Sequence, residues 1–370
     1  MSKSDIISIY DKSPKIAVLE STFAARQKSQ MTGLVGSSLS FVMHSLFKKA
    51  ELPFLILFNN KEEAAYYLND LEQLINTEDV LFYPSSYRRP YQIEETDNAN
   101  VLLRAEVLNR INSRKKPAII VSYAEAIFEK VVTRKELEKN TLKLSVEDKL
   151  SIDFINETLF EYNFKRVDFV TEPGEFSVRG GIIDVFSFSN DNPYRIEFFG
   201  NEIDSIRSFD VETQLSIEKL KKISIIPNVE NKLLQENRES FLDYINEKTV
   251  LAIQNTELLG QQLDKLFDKA NEAFEKLSKD IQHAPPEDLF LNQKQFLKRA
   301  LDFSVIELHA NAVFKTDKKV EFHIQPQPSF NKQFDLLLNN LSENHFNGYK
   351  NYLCCSNENQ ASRFHDIFED

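Results

Sequence analysis

The chain has 370 residues, 42% hydrophobic and 28% charged, and its 45 basic against 57 acidic side chains leave a net charge of −12. That length allows two or three domains with a buried core, and the acidic balance argues against broad DNA binding through phosphate contacts, though not against a local basic patch. Two adjacent cysteines, a charged start and no run of ~20 apolar residues exclude a disulfide framework, a signal peptide and a membrane span, so a soluble intracellular protein without a membrane partner is expected.

The first motif in chain order lies at residues 32–41, Thr-Gly-Leu-Val-Gly-Ser-Ser-Leu-Ser-Phe, with helical apolar spacing after it in Phe41, Val42, Leu46 and Phe47. A phosphate loop reads G-x-x-x-x-G-K-[ST]: its backbone N–H groups cradle phosphates, its Lys reaches the outer phosphates and its Ser/Thr holds Mg²⁺. Gly33 matches the first glycine and Gly36 adds a second flexible point. Ser38 stands at the second glycine, Leu39 at the Lys and Ser40 at the Ser/Thr. Leucine cannot neutralise phosphate charge, so a degenerate loop that has lost its chemistry is expected. The plainer reading is Ser37 or Ser38 capping an ordinary helix.

From Pro53 to about Val132 buried-type strands alternate with amphipathic helices. Strands are expected at Phe54–Phe58, Val80–Tyr83 and Ala118–Val121, with helices at Lys61–Ile75, Asn98–Ile111 and Tyr123–Val131. Continuous apolar strands between helices imply a parallel sheet covered on both faces. After Arg134 the pattern changes: a half-exposed strand at Thr141–Val146 and a helix at Ser151–Tyr162 precede strand-like runs at Arg166–Val170, Glu175–Ser187 and Tyr194–Phe209. Turns rich in Gly, Pro, Asn and Asp join them, which suggests an antiparallel sheet. Beyond Leu215 come Ile223–Pro227, a charged stretch of helix formers from Glu236 to Lys279, and a break at His283-Ala284-Pro285-Pro286. A strand at Phe322–Ile324, a helix at Phe330–Leu341, a buried strand at Tyr352–Ser356 holding Cys354 and Cys355, and a helix at Glu358–Phe368 follow. The expected fold class is α/β: a degenerate P-loop NTPase-like parallel-sheet domain in two segments, 1–129 and 214–370, interrupted by an inserted α+β domain at 130–213.

Four of the eight glycines crowd into 27 residues, Gly174, Gly180, Gly181 and Gly200, within the most distinctive segment. It reads Glu-Pro-Gly-Glu-Phe-Ser-Val-Arg-Gly-Gly-Ile-Ile-Asp-Val-Phe from Glu172, then Pro-Tyr-Arg-Ile-Glu-Phe-Phe-Gly-Asn-Glu-Ile-Asp-Ser-Ile-Arg-Ser-Phe-Asp-Val from Pro193. Strand alternation puts Phe176, Val178, Ile196 and Phe198 on a core face. Ser177, Arg179, Arg195, Glu197 and Phe199 fall on the other. Gly180-Gly181 suggests a bulge or turn that re-aims Arg179. An outer face mixing Arg and Phe suits a protein interface. The plainer reading pairs Arg179 and Arg195 with Glu172, Glu175 or Glu197 on a solvated face, and gives Asp184 and Glu202 turn or ion-pair roles.

This segment resembles one shared by the excision-repair protein UvrB and the transcription-repair coupling factors, and weaker similarity covers nearly the whole chain, including the Gly33 loop and Phe82-Tyr83-Pro84-Ser85. The resemblance implies docking onto UvrA through Arg179, Arg195 and Phe199. Leu39, and the short connection from Tyr83 to the Asn98 helix, which leaves no room for UvrB's DNA-clamping hairpin, match the amino-terminal module of the coupling factors better than UvrB. By the same resemblance the chain is a fragment of a larger bacterial cytoplasmic protein. Its ATP and Mg²⁺ would belong to a motor beyond residue 370, its further partners would be RNA polymerase and double-stranded DNA, and its carboxy-terminal region could mask the docking face. The fragment itself would need no cofactor and catalyse nothing. Three rivals remain: an active UvrB-like ATP-dependent enzyme, a DNA-binding module, and a structural brace for the motor. No His–Cys pairing, H-E-x-x-H or G-x-S-x-G sequence suggests a metal or hydrolase site.

Overall fold

The computed structural model describes residues 3–86, 91, 98–113, 116–139, 141–188, 190, 192–226, 238–277, 284–331 and 333–369. Its strands in chain order are Lys28–Thr32 (β1), Phe54–Phe58 (β2), Val80–Phe82 (β3), Ile119–Tyr123 (β4), Val131–Val132 (β5), Leu142–Ser145 (β6), Lys165–Arg166 (β7), Glu175–Arg179 (β8), Ile182–Val185 (β9), Tyr194–Phe199 (β10), Glu202–Phe209 (β11), Ser216–Leu220 (β12), Lys222–Ile225 (β13), Arg238–Glu239 (β14), Val250–Ile253 (β15), Ser304–Glu307 (β16) and Lys318–Glu321 (β17).

Seven of these form one sheet in the order β17-β1-β16-β15-β2-β4-β3, and all its pairings are parallel. Every residue of β2, β4 and β15 is buried, as strands covered on both faces must be. Helix Lys61–Leu74 starts where the Asn60 side chain accepts the Glu63 N–H, and helix Thr256–Glu275 where Asn255 accepts that of Leu258. The sheet draws β1 to β4 from before the smaller unit and β15 to β17 from after it, so the parallel sheet is built from two chain segments.

The second sheet has the order β12-β11-β10-β9-β8-β7 and is antiparallel except where β7 meets β8. One face packs under helix Ile152–Glu161: Ile155 and Leu159 meet Phe176, Ile183, Val185, Ile196, Ile203 and Ile206. β13 pairs with β6, and its Ile223 and Ile225 join the same core. Helix Asn98–Ser113 serves both units, giving Val101 and Ala105 to this core and Val107 and Leu108 to the larger one.

Several expected elements change in the fold. The Glu236–Lys279 stretch is not uniformly helical: it contains β14, helix Phe241–Tyr244, the central strand β15 and helix Thr256–Glu275. Val250–Ile253 is a four-residue apolar run like Ala118–Val121, set in a charged stretch that hides it, and it pairs with β2 and β16. The expected buried strand Tyr352–Ser356 is absent. Tyr352, Leu353 and Cys354 are exposed and Cys355 half-buried, and the run pairs with no strand among the described residues. The strand expected at Phe322–Ile324 lies earlier, as β17, and the helix expected at Phe330–Leu341 is Phe334–Phe346. Pro227, Glu236, Lys279, His283 and most of the connection between Tyr83 and Asn98 lie outside the described residues.

Candidate functional site

Two hairpins shape one end of the second sheet. Arg179 closes β8 opposite Ile182, and Gly180-Gly181 makes the turn, Gly180 with φ +58°. A side chain at Gly181 would lie 3.1 Å from the Phe198 carbonyl oxygen, which approaches because the Phe198 N–H donates to the Gly181 carbonyl. Phe199 closes β10 opposite Glu202, and Gly200 turns with φ +64°. The Gly180-Gly181 pair is therefore a hairpin turn. The sheet's bulges lie at Glu197/Phe198 and Ser208/Phe209.

Register sets the outer face. Ser177 lies opposite Asp184, Asp184 opposite Arg195, and Arg195 opposite Arg207. The Asp184 carboxylate is 1% exposed. Its Oδ1 accepts Arg195 Nε at 2.7 Å and its Oδ2 accepts Arg195 Nη2 at 2.9 Å, a bidentate pair. Oδ2 also accepts Nη2 of Arg179. Arg195 lies over the Phe209 ring at 4.4 Å and donates to Gln214 Oε1 at 3.3 Å; the hydrogen bonds to Asp184 push its pKa up still further. Gln214 holds a left-handed backbone, φ +59°. Arg179 lies over the Phe169 ring at 5.2 Å. Two guanidiniums on one carboxylate leave the cluster one positive charge in excess.

The two arginines differ in exposure: the Arg179 side chain is 41% exposed and that of Arg195 17%. Phe199 is 84% exposed at the hairpin end. The outer face beside β8 is roofed. The segment after β7 runs beside β8, Ser177 Oγ donates to the Asp168 carbonyl at 3.0 Å, and Val170, Phe186 and Phe209 form a small core there. The arrangement can thus offer a partner the free edge of the Arg179 guanidinium and an aromatic ring, with Arg195 and Asp184 fixed behind them.

The expected glutamate partners do not take these arginines. Glu175 accepts the Thr171 and Glu172 N–H groups and the Thr171 hydroxyl, and Glu197 pairs with Arg207 and Ser205. Asp184, read as a turn or ion-pair residue, is the centre of the cluster. Its signal was available: it alternates with the core residues Ile183 and Val185, and an antiparallel register brings it opposite Arg195. Gln214 carried no such signal, because loop residues take no side from alternation; Phe169 falls in the expected strand-like run Arg166–Val170, of which only Arg166 lies in a strand, β7, so alternation does not place its side chain.

The Gly33 loop follows β1 and leads into helix Ser38–Ala50. Gly33 has φ +74°, and a Cβ there would lie 1.6 Å from the Phe322 carbonyl oxygen. The chain after β17 runs along the loop, with Phe322 N–H on the Thr32 carbonyl at 2.8 Å and Ile324 N–H on that of Gly33 at 3.0 Å. Gly36 is also left-handed, φ +55°. Ser38 Oγ accepts the Val35 N–H at 2.9 Å and donates to the Val35 carbonyl, so the loop closes on itself. Ser37 holds the cap position without a side-chain cap bond. Leu39 is buried in the larger core and Ser40 donates to Asp70. No helix among the described residues is long and apolar enough to cross a membrane, and no cluster of His, Cys, Asp or Glu among them could hold a metal ion.

Residues 142–230 match the UvrB interaction domain family. The chain is 32% identical over 216 residues to a transcription-repair-coupling factor of Bacillus subtilis (strain 168), covering 58% of this chain and 18% of that protein. It is 28% identical over 256 residues to the transcription-repair-coupling factor of Myxococcus xanthus, 65% of this chain and 21% of that protein. It is also 30% identical over 210 residues to UvrABC system protein B of Clostridium botulinum (strain 657 / Type Ba4), 53% of this chain and 32% of that protein. The resemblance to coupling factors and UvrB therefore holds. The chain spans about a fifth of the coupling factors' length and about a third of UvrB's.

Proposed function

We propose that this chain serves transcription-coupled nucleotide excision repair as a docking module that does no chemistry of its own and recruits UvrA. The observation that carries this reading is the outer face of the second sheet, within the region matching the UvrB interaction domain: Arg179 and Phe199 project from two hairpin ends while the buried Asp184 fixes Arg179 and Arg195. An arginine held in place keeps its planar fork ready for a partner's carboxylate, and so loses less side-chain entropy on binding. In the longer protein, RNA polymerase, double-stranded DNA and an ATP- and Mg²⁺-dependent motor would belong to other regions.

Calorimetry against UvrA tests this. Arg179→Ala and Phe199→Ala are each expected to weaken binding by at least about ten-fold. Phe199→Ala should leave the unfolding midpoint unchanged, because its ring faces solvent, whereas Arg179→Ala should lower it modestly, because the buried Asp184 loses one of its two cations. Arg195→Ala is expected to weaken binding and also to lower stability, since it strips a buried carboxylate of its bidentate partner. Wild-type affinity in all three variants would place the contact elsewhere, and no binding by wild type would favour the structural brace.

The Gly33 loop is expected to bind no nucleotide. Leu39 replaces the phosphate-binding Lys and packs inward, and the Val35 N–H is already taken by Ser38. Titration with ATP and Mg²⁺ should give no saturable signal. Micromolar affinity would instead support the UvrB-like ATP-dependent reading.

A further inference from the structure

Phe169 is an exposed aromatic side chain on a pinned backbone. Just before it, the Val167 N–H donates to the Phe176 carbonyl at 2.9 Å and the Asp168 carbonyl accepts Ser177 Oγ. Just after it, Val170 is buried against Phe186 and Phe209, and the Thr171 and Glu172 N–H groups are tied to Glu175. Between these anchors the Phe169 ring is 62% exposed. The Arg179 guanidinium lies over it. Burial cannot account for such a ring, since its neighbour Val170 supplies the small core.

The register places Phe169 on the docking face. β8 lies between the 167–168 segment and β9, so Phe169 flanks Arg179 on one side and the β10 end with Phe199 lies on the other. Two exposed phenylalanines thus bracket the one well-exposed arginine of the cluster. A protein surface offering a carboxylate ringed by apolar side chains would fit this strip: the carboxylate answers the excess positive charge, and the apolar groups cover both rings. Rigid aromatics lose little freedom on binding, which favours them as contact residues.

Resting on the docking reading above, we infer that Phe169 is a second aromatic contact residue for UvrA in its own right, and not only a support for Arg179. The test measures UvrA affinity for wild type, Arg179→Ala, Arg179→Lys, Phe169→Ala, Phe169→Tyr, Phe154→Ala and Phe169→Ala in the Arg179→Lys background. Phe154 is the control, half exposed on the helix that covers the opposite face. Phe169→Ala is expected to weaken binding by at least about ten-fold in both backgrounds. Phe169→Tyr and Phe154→Ala should keep wild-type affinity, and the unfolding midpoints of the three phenylalanine single variants should be unchanged.

Wild-type affinity for Phe169→Ala alongside a weak Arg179→Ala would overturn the inference and leave the docking reading intact. Weakening by Phe169→Ala that disappears in the Arg179→Lys background would mean that the ring only steadies the arginine, which also overturns it. If wild type itself does not bind UvrA, both readings fall together.

Discussion

Replacing Asp184 with Ala is expected to reduce UvrA affinity at least as far as Arg179→Ala does, although Asp184 is 1% exposed and cannot itself reach a partner. Its carboxylate takes both guanidiniums on one side and sits opposite Ser177 and Arg195 in the ladder. Without it, two cations on β8 and β10 flank the β9 position between them with no anion to hold either, and repulsion should turn Arg179 away from the docking geometry. The folded state should also lose about 2–3 kcal/mol, the scale for charge-assisted hydrogen bonds removed from a partly sheltered site. The loss should not be larger, because Arg179 can relax into water. Asp184→Asn keeps the shape and one acceptor but not the charge, and should fall between wild type and Asp184→Ala. Calorimetry with UvrA and urea unfolding read the two effects separately. An Asp184→Ala variant that binds like wild type would show that the arginines need no internal anchor.

The largest stability effect is expected far from the docking face, at Arg104. This arginine is 1% exposed and donates through Nη1 to the carbonyls of Pro84 at 2.9 Å and Ala126 at 3.0 Å. Its Nη1 lies 3.3 Å from Glu129 Oε2, and its guanidinium lies 4.4 Å from the Tyr83 ring, which stacks on Phe241. Glu129 in turn accepts the Ser86 N–H and hydroxyl. Arg104→Ala would leave a buried carboxylate without its cation and two carbonyls without a donor, a loss of about 3–5 kcal/mol. That is a large part of the roughly 5–15 kcal/mol typical of a folded domain. The paired change Arg104→Met with Glu129→Leu should recover much of the loss, because it removes both charges together. Urea unfolding of the singles and the double decides the matter; single variants within about 1 kcal/mol of wild type would show that the pair is not a structural keystone. Helix Asn98–Ser113 carries Arg104 between Val101 and Ala105 of the smaller core and Val107 and Leu108 of the larger, so its loss should loosen both units.

The sequence by itself determined those parts of the protein that depend on neighbours along the chain. The apolar run Phe54–Phe58 could only be a strand covered on both faces, and the spacing in Lys61–Leu74 could only be a helix with one buried stripe. Alternation assigned Phe176 and Ile196 to the core and Arg179 and Phe199 to the opposite face, where the structure has them. Other features depend on residues that meet only when the chain is folded. Val250–Ile253 and Tyr352–Ser356 are both short apolar runs, yet the first is a strand between β2 and β16 and the second pairs with no strand among the described residues. Asp184 joins Arg179 to Arg195 across three strands, a relation that needs the register as well as the alternation. Gly33 must be a glycine because the carbonyl of Phe322, from the opposite end of the chain, lies where its side chain would be. Helical and strand periodicity are properties of a local backbone and can be read from sequence. Partners fixed by register, crossover and close backbone approach are chosen by the whole fold, and only the tertiary structure shows them.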